Sequence, residues 1–533
     1  MTAMNVNNKN YITKYMFPIL LLLNLAFIIQ TMIIYFNYPT FSPDSWTYYE
    51  LSKSLMRGGY HLDHVREFIS NVDAPSKSFP PLFPALWGIA DTITGLGFGT
   101  GLFLNFALLF AIALQAEYVI RRISNEKYLG LSIAAIIFIL PGFFEEIVSA
   151  RAIPLSICMV FILFMILSRS DKLSTFDALM AGLASGACVM IRFDMVPFCI
   201  CVSIAILLTQ RNVVTIAVFV TGLVITVSPW ILSSLYFHNR IFASDSSWVA
   251  LSADRNPYVT DWHPSGEQRA SLFNAPKKWA IRIIYNAKNF ATSIWRAPGA
   301  IVGSLIVTIA LMYMAYVKDI KTSIMNSYTH ENAKYFKRSG IIITLAALAM
   351  LPSYILTGYF DIRYFSLIII CILMWLVTIP LFHAKTKRIV NIIILVFLII
   401  TPIYGTIQNL TYLDAQRNIL HSPFSNTKYM DLLMKCTEYA APERRRVVFA
   451  RGMESQAARV SALYSIPTSF LPNNLKAYAH DETAIAEFLD TFKIGFMIGI
   501  EPKDANTIFP SGWTLIEAPE CGPGVHHIVR KKR

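Results

Sequence analysis

Charge is the scarcest property of this sequence. Only 15% of its 533 residues are charged and 55% are hydrophobic, whereas a soluble domain carries about 25% charged residues. With a mean hydropathy of +0.49, that shortage excludes an ordinary soluble protein and places most of the chain in lipid. Cysteine is also sparse. Of the seven, Cys158, Cys188, Cys199, Cys201 and Cys371 lie in apolar runs without metal-ligand spacing and read as small packing residues. Cys436 and Cys521 lie in a polar C-terminal region, where a disulfide between them is expected if that region faces an oxidising compartment. No paired His or Cys ligand pattern occurs, and His263 alone is no evidence for a metal. The reading therefore assigns no metal site and requires no cofactor, leaving a divalent ion open. There is no glycine-rich phosphate loop, no internal repeat and no low-complexity segment. No small-residue cleavage site follows the first apolar run, Met16 to Tyr35, which is expected to be a retained span rather than a secretory signal.

What the sequence does have is apolar runs separated by basic loops. Spans are expected at about 15–36, 100–120, 128–143, 154–168, 176–192, 195–210, 213–235, 298–317, 340–357, 364–382 and 389–406. That makes about eleven, four of them short against the ~20 residues a crossing helix needs. The net charge is +13 and the pI about 9.3. Many basic residues sit in short loops between spans, so the positive charge reads as membrane orientation rather than nucleic-acid binding.

One segment decides that orientation. Leu82 to Phe98 is apolar enough to cross, but Pro80, Pro81 and Pro84 break its start and Gly95, Gly97 and Gly99 its end. If it crossed, Arg121-Arg122, Arg169, Lys172, Arg211 and the later basic loops would lie opposite Lys9 and Lys14. If it lies in the interface or re-enters, all of them join the N-terminus on one side, as the positive-inside rule favours. The N-terminus is then expected in the cytoplasm. Residues 37–99, the turn near 144–152, residues 236–297 and everything after about 406 face outward. The turns around 192–194 and 358–363 also open outward.

The organisation expected is a multi-span domain over 1–406 and an external soluble α/β domain over 425–533. In the latter, Tyr429 to Tyr439, Glu454 to Tyr464 and Glu482 to Phe492 predict helices, and Arg446 to Ala450 and Ile494 to Ile500 predict strands. Their alternation predicts a short parallel sheet.

The residues able to carry chemistry fall on the outward face. In Ser42-Pro43-Asp44-Ser45-Trp46-Thr47-Tyr48-Tyr49, Ser42 or Asp44 is suited to cap a helix that begins at Pro43 and ends at Gly58-Gly59. Asp44 is also a carboxylate at the membrane surface, placed to take a proton from an acceptor hydroxyl. The two roles are compatible. Arg151, Arg192 and Arg363 each sit at an outer helix end. There a guanidinium either pairs with a phosphate in bidentate fashion or snorkels to lipid headgroups. Arg192 also has Asp194 beside it as a partner, and Asp361 either orients Arg363 or caps a helix. The loop 236–297 carries Trp248, Tyr258, Asp261 and Trp262. Flat aromatic faces suit sugar rings, and they equally anchor a loop at an interface.

The order of these features is informative. Pro43-Asp44 opens a helix after the first span, Phe79-Pro80-Pro81-Leu82-Phe83-Pro84 leads an apolar segment, a span ends in Arg121-Arg122, and a Gly182–Gly186 span ends in Ile191-Arg192-Phe193. Over residues 1 to about 380 this resembles the GT-C membrane glycosyltransferases. It is most similar to the protein O-mannosyltransferase and lipid A aminoarabinose transferase group. The resemblance implies a GT-C-like polytopic fold, a polyprenyl-phosphate sugar donor, an inverting transfer, and an aspartate base in the first outer loop, which falls on Asp44. The family's second acid stands directly before a Pro-Leu at the start of the fourth span. Here that segment reads Ala152-Ile153-Pro154-Leu155 and the acid is missing, with Glu145 and Glu146 a turn or two earlier as candidates. The lipid A branch often has a basic residue directly before Pro-Pro-Leu, where this chain has Phe79, with Lys77 just before it. Tyr359-Phe360-Asp361-Ile362-Arg363-Tyr364-Phe365 resembles the family's Arg-Tyr segment. That makes Arg363 the favoured ligand of the donor phosphate, with Arg151, Arg192 and Lys77 as further candidates.

The expected function is sugar transfer from a polyprenyl-phosphate donor to a glycan, lipid or protein acceptor on the outer face of a bacterial inner (plasma) membrane. Membrane lipids are the other partners, and no nucleic acid is involved. A transporter or flippase of a lipid-linked envelope component is one alternative. Its expected mid-span ionisable residues and related halves are lacking, since Glu117, Asp177, Arg192 and Asp194 fall near span ends. A non-catalytic envelope assembly factor is another, and it would not need Asp44.

Overall fold

The computed structural model describes residues 4–38, 42–62, 64–65, 76, 79–124, 128–138, 140–170, 172–210, 212–244, 249–253, 271–293, 331–358, 370, 384–419, 427–440, 445–450, 453–464, 466–471, 475, 481–499, 513–521 and 523–530. In chain order the elements are α1 (Met4–Asn37), α2 (Pro43–Met56), β1 (His64–Val65), α3 (Leu82–Thr94), α4 (Phe98–Ser124), α5 (Leu129–Phe138), α6 (Pro141–Val148), α7 (Ile153–Leu167), α8 (Thr175–Ile191), α9 (Val196–Thr209) and α10 (Val213–His238). They continue with α11 (Pro276–Ser293), α12 (Glu331–Leu348), α13 (Leu351–Thr357), α14 (Ala384–Ile419), α15 (Thr427–Tyr439), β2 (Arg446–Phe449), α16 (Glu454–Tyr464), β3 (Thr468–Phe470), α17 (Glu482–Thr491), β4 (Ile494–Ile498), β5 (Trp513–Glu517) and β6 (Val525–Arg530).

Five helical stretches among the described residues are long and apolar enough to cross a membrane: Met16–Asn37, Phe98–Arg122, Val213–His238, Arg338–Thr357 and Ile394–Leu413. Each falls on an expected span, and the chain is an integral membrane protein. The span expected over 128–143 falls on a bent pair of helices. Leu129–Phe138 and Gly142–Val148 meet at 82°. Pro141 lacks an N–H and clashes with a helical predecessor, so Leu140 is held extended at φ −56°, ψ 126° and the helix breaks there. The other short spans expected fall on the apolar helices Ile153–Leu167, Thr175–Ile191 and Phe193–Thr209, none of which is long enough by itself to count among the five. Those expected at 298–317 and 364–382 lie outside the described residues. Helix α3 has 13 residues, about 20 Å at 1.5 Å per residue, and is too short for the ~30 Å hydrocarbon layer. It buries Phe83 and Trp87 and exposes Ile89 and Ile93, and it ends at Gly95 in the left-handed region, φ +65°.

The chain forms two compact units. The first comprises Met1–Pro39, Leu96–Leu232 and Ile283–Leu413. Polar contacts between helices fix its pairings, since water offers no alternative partner in lipid. The Asn24 side-chain amide donates to the Leu398 carbonyl at 2.9 Å, and Asn409 donates to the Thr31 hydroxyl at 2.9 Å. The rings of Tyr35 and Tyr412 stack at 4.3 Å, and the Tyr412 hydroxyl donates to the Tyr38 carbonyl. Helices α1 and α14 therefore lie side by side. Glu117 on α4 accepts from the backbone N–H groups of Tyr128, Gly130 and Leu131 at 2.9, 3.0 and 3.3 Å, so its carboxylate caps the positive end of α5. Helices α8 and α10 meet through glycine: a Cβ on Gly182 would stand 2.1 Å from the Phe219 carbonyl oxygen.

The second unit comprises Thr40–Gly95, Ser233–Arg282 and Asp414–Arg533. Its sheet has the order β1-β3-β2-β4-β6-β5. Strands β1, β3, β2 and β4 are parallel, as the strand–helix alternation requires, but β6 and β5 run antiparallel, so the sheet is mixed rather than parallel. Strands β2 and β4 are buried along their whole length, as befits central parallel strands covered on both faces. Ile485, Phe488 and Phe492 of α17 pack with Val448 and Met497, and Leu433 and Val460 pack with Val447, Phe449 and Phe496. Arg446 is buried and donates to the carbonyls of Phe492 and Thr468, both at 2.9 Å. A disulfide joins Cys436 on α15 to Cys521.

Candidate active site

In the first unit, the turn between α6 and α7 gathers both acidic candidates and one arginine. Arg151 Nη1 donates to Glu145 Oε1 at 2.9 Å and to Glu146 Oε1 at 3.2 Å. The Glu146 side chain is 1% exposed and that of Arg151 9%, while Glu145 is 50% exposed. Asn105 on α4 secures the turn. Its Nδ2 donates to the carbonyls of Glu146 and Arg151 at 3.0 and 2.9 Å. Ala150 in this turn sits at φ +51°, a left-handed conformation costing about 1–2 kcal/mol for a residue with a Cβ. A buried charge needs a partner, and Arg151 supplies it to Glu146. Of the two acids, Glu145 is the accessible one.

A second cluster lies where α8 ends. Arg192, extended at φ −151°, ψ 124°, terminates the helix. Its Nε and Nη2 donate to the two carboxylate oxygens of Asp194 at 2.9 and 2.7 Å. Tyr354 on α13 donates to Asp194 Oδ2 at 3.3 Å. Asn286 on α11 donates to the Ile355 carbonyl at 3.0 Å and thereby caps the end of α13, where Gly358 stands at φ +77°. Arg192 thus meets a carboxylate with its fork, the contact the sequence left open. Arg363 and Asp361 lie outside the described residues, as do Lys77, Trp248, Tyr258, Asp261, Trp262 and His263.

In the second unit, Asp44 occupies the first turn of α2, behind Pro43. Ser42 holds the N-cap position in extended conformation, with no side-chain cap bond. The helix is anchored by its aromatics. Tyr48 packs edge-on against Phe79 and Phe83 at 4.7 and 5.1 Å, and Tyr49 lies 5.7 Å from Trp87. Burial, with the Asp91 carboxylate adding to it, pushes the Tyr49 phenol above its usual range. Lys53 Nζ donates at 2.9 Å to the Ala462 carbonyl in the last turn of α16, where a cation is favoured by the helix dipole. Asp44 is therefore half-buried on a helix held from two sides. The segment Val249–Ser252 after α10 is pinned in the same way: buried Arg282 donates to the carbonyls of Val249, at 2.8 Å, and Ser252.

Sequence reasoning passed over Asn105, Tyr354, Lys53 and Arg282. Asn105 carried a signal, being a polar residue inside an apolar run. The other three are identified only by what they touch.

No family model and no curated protein matches the chain. A search of solved structures finds the crystal structure of ArnT from Cupriavidus metallidurans bound to undecaprenyl phosphate, with a TM-score of 0.51 and 11% identity over 95% of this chain and 97% of that one. The chain shares the fold of ArnT. The apo structure of ArnT from the same organism aligns with a TM-score of 0.46 and 12% identity, over 84% of this chain and 85% of the other. The ArnT likeness runs over nearly the whole of both chains.

Proposed function

We propose that this protein is a membrane glycosyltransferase that moves a sugar from a polyprenyl-phosphate donor to an acceptor on the outer face of the membrane, with inversion. The observation that carries the reading is the likeness to ArnT along nearly the whole of both chains. The ArnT structure is bound to undecaprenyl phosphate, the lipid such a donor leaves behind. Asp44 is the base, Arg363 and Lys77 meet the departing phosphate, and Trp248, Tyr258 and Trp262 face the sugar or acceptor. Glu145 is the second carboxylate available to substrate. Within the first unit Glu146 is paired with Arg151, and Arg192 with Asp194. The setting is the bacterial inner membrane, with about eleven spans, the N-terminus in the cytoplasm and residues 425–533 external.

An acceptor hydroxyl is a poor nucleophile at neutral pH, and a positioned base contributes about 10²–10⁴-fold in rate. A first-turn aspartate has its ionised form favoured by the helix dipole. Asp44→Asn keeps shape and capping ability and removes the charge. Washed membranes given lipid-linked sugars should release polyprenyl phosphate, and the Asp44→Asn protein should bind donor and release about 100-fold less or lower. Near-normal turnover would leave Asp44 a helix-start residue only. No release from any lipid-linked sugar would sink the transferase reading.

A further inference from the structure

Residues that the transfer reaction leaves unused converge beside the cross-link of the second unit. The Cys521 sulfur lies 4.0 Å from Glu520 Oε1, and that oxygen lies 3.0 Å from His527 Nε2. The three ligand atoms are all within 4.8 Å of one another. Cys436 is bonded to Cys521 and so brings a second sulfur beside the first. We propose that the reduced form of the Cys436–Cys521 pair is a zinc-type divalent metal site, completed by His527 and Glu520.

The donor set is two sulfurs, an imidazole and a carboxylate, which suits a tetrahedral borderline-soft ion. Ligands at about 2.0–2.3 Å from such an ion stand about 3.3–3.8 Å from one another, so small side-chain rotations reach the geometry from the observed spacings. The site is accessible: Glu520 and His527 are 60% and 39% exposed on the side-chain scale, while Cys521 is fully buried behind them. His527 is steadied by the Phe496 ring at 5.0 Å. The elements that carry the ligands already pack together, since the turn 519–521 touches both α15 and β6.

The oxidised pair does not bind, because a metal needs thiolates and a disulfide offers none. A dithiol reductant opens it. The protein disulfide takes two electrons and two protons and becomes two thiols, and the reductant becomes a disulfide. Metal entry then sends both thiol protons to solvent. Either state staples α15 to the sheet, by a covalent bond or by coordination.

The test uses full-length detergent-purified protein, either air-oxidised or reduced with a phosphine and desalted. Zn²⁺ uptake is measured by elemental analysis, and Co²⁺ binding by its thiolate charge-transfer absorption. The reduced protein should take up one ion and show that absorption, and the oxidised protein should do neither. Glu520→Gln and His527→Ala alter exposed side chains and leave the cross-link intact. Each should weaken binding to the reduced form by about tenfold or more, at least the loss seen when an outer-shell partner is removed. Equal uptake by the oxidised protein, no uptake by the reduced protein, or reduced-state affinity unchanged in both variants would overturn the proposal.

Discussion

The side-chain amide of Asn105 donates to the carbonyl of Arg151 at 2.9 Å, fixing the one turn of the membrane unit that holds two glutamates, an arginine and a left-handed alanine. That turn is costly to form, and the amide of a neighbouring helix is what the backbone leans on.

Asn105→Ala removes a donor from two buried carbonyls, and a lost hydrogen bond of this kind costs about 0.5–1.5 kcal/mol. The variant should melt earlier in detergent and should lose transferase activity with it. A melting temperature equal to wild type would mean that the turn holds itself.

Arg363 is expected to act on the donor phosphate. Arg363→Ala should raise the apparent KM for donor by about tenfold or more, the loss of one charge-assisted pair. Arg363→Lys should restore this only in part, because the bidentate fork is gone. Unchanged donor kinetics in the alanine variant would remove Arg363 from the site.

Gly182→Ala places a methyl 2.1 Å from the Phe219 carbonyl. Backbone cannot yield as a side chain can, so helices α8 and α10 must separate. Overpacking of this kind costs about 1–3 kcal/mol, read as a lower melting temperature and a broader gel-filtration peak. A monodisperse variant with wild-type melting would show that the two helices tolerate a wider spacing.

Burial pushes the Tyr429 phenol up to about 12, against about 10 in an unfolded chain. A raised folded-state value means the stabilisation is complete below pH about 10 and is lost as pH rises toward about 12. Tyr429→Phe has no proton to lose there. Its denaturation midpoint, followed by circular dichroism, should fall less steeply than wild type between about pH 10 and 12. Parallel curves would assign the alkaline loss to other groups.

The membrane helices were legible because an apolar run declares itself without reference to its neighbours. Met16–Asn37 and Val213–His238 needed only composition. The break at Leu140 is written in Pro141-Gly142, a proline that cannot continue the helix before it. The Cys436–Cys521 pair was legible because no other cysteine stands in the polar region. Glu117 shows what is harder to read. It was visible as an acid near a span end, but its work is to meet N–H groups across a turn, and that depends on how α4 and α5 pack. Strand β1 has two residues and no pattern of its own. It is a strand only because β3 lies beside it. Strands β5 and β6 escaped for a related reason: they sit at one edge of the sheet, and sequence such as Val525-His526-His527-Ile528 lacks the continuous apolar run of β2 and β4.

The pairing of His64 with Thr468 and of Val65 with Ser469 has a consequence for biosynthesis. The ribosome delivers the segment between α1 and α4 early, yet the strand that completes it emerges about 400 residues later, which at about 5–20 residues per second is roughly 20–80 s. Throughout that interval the segment carrying Asp44 has an unfinished edge. A chain stopped before β3 would contain all five described membrane helices and still lack the partner of β1, so a nonsense mutation ahead of Thr468 would damage the N-terminal loop.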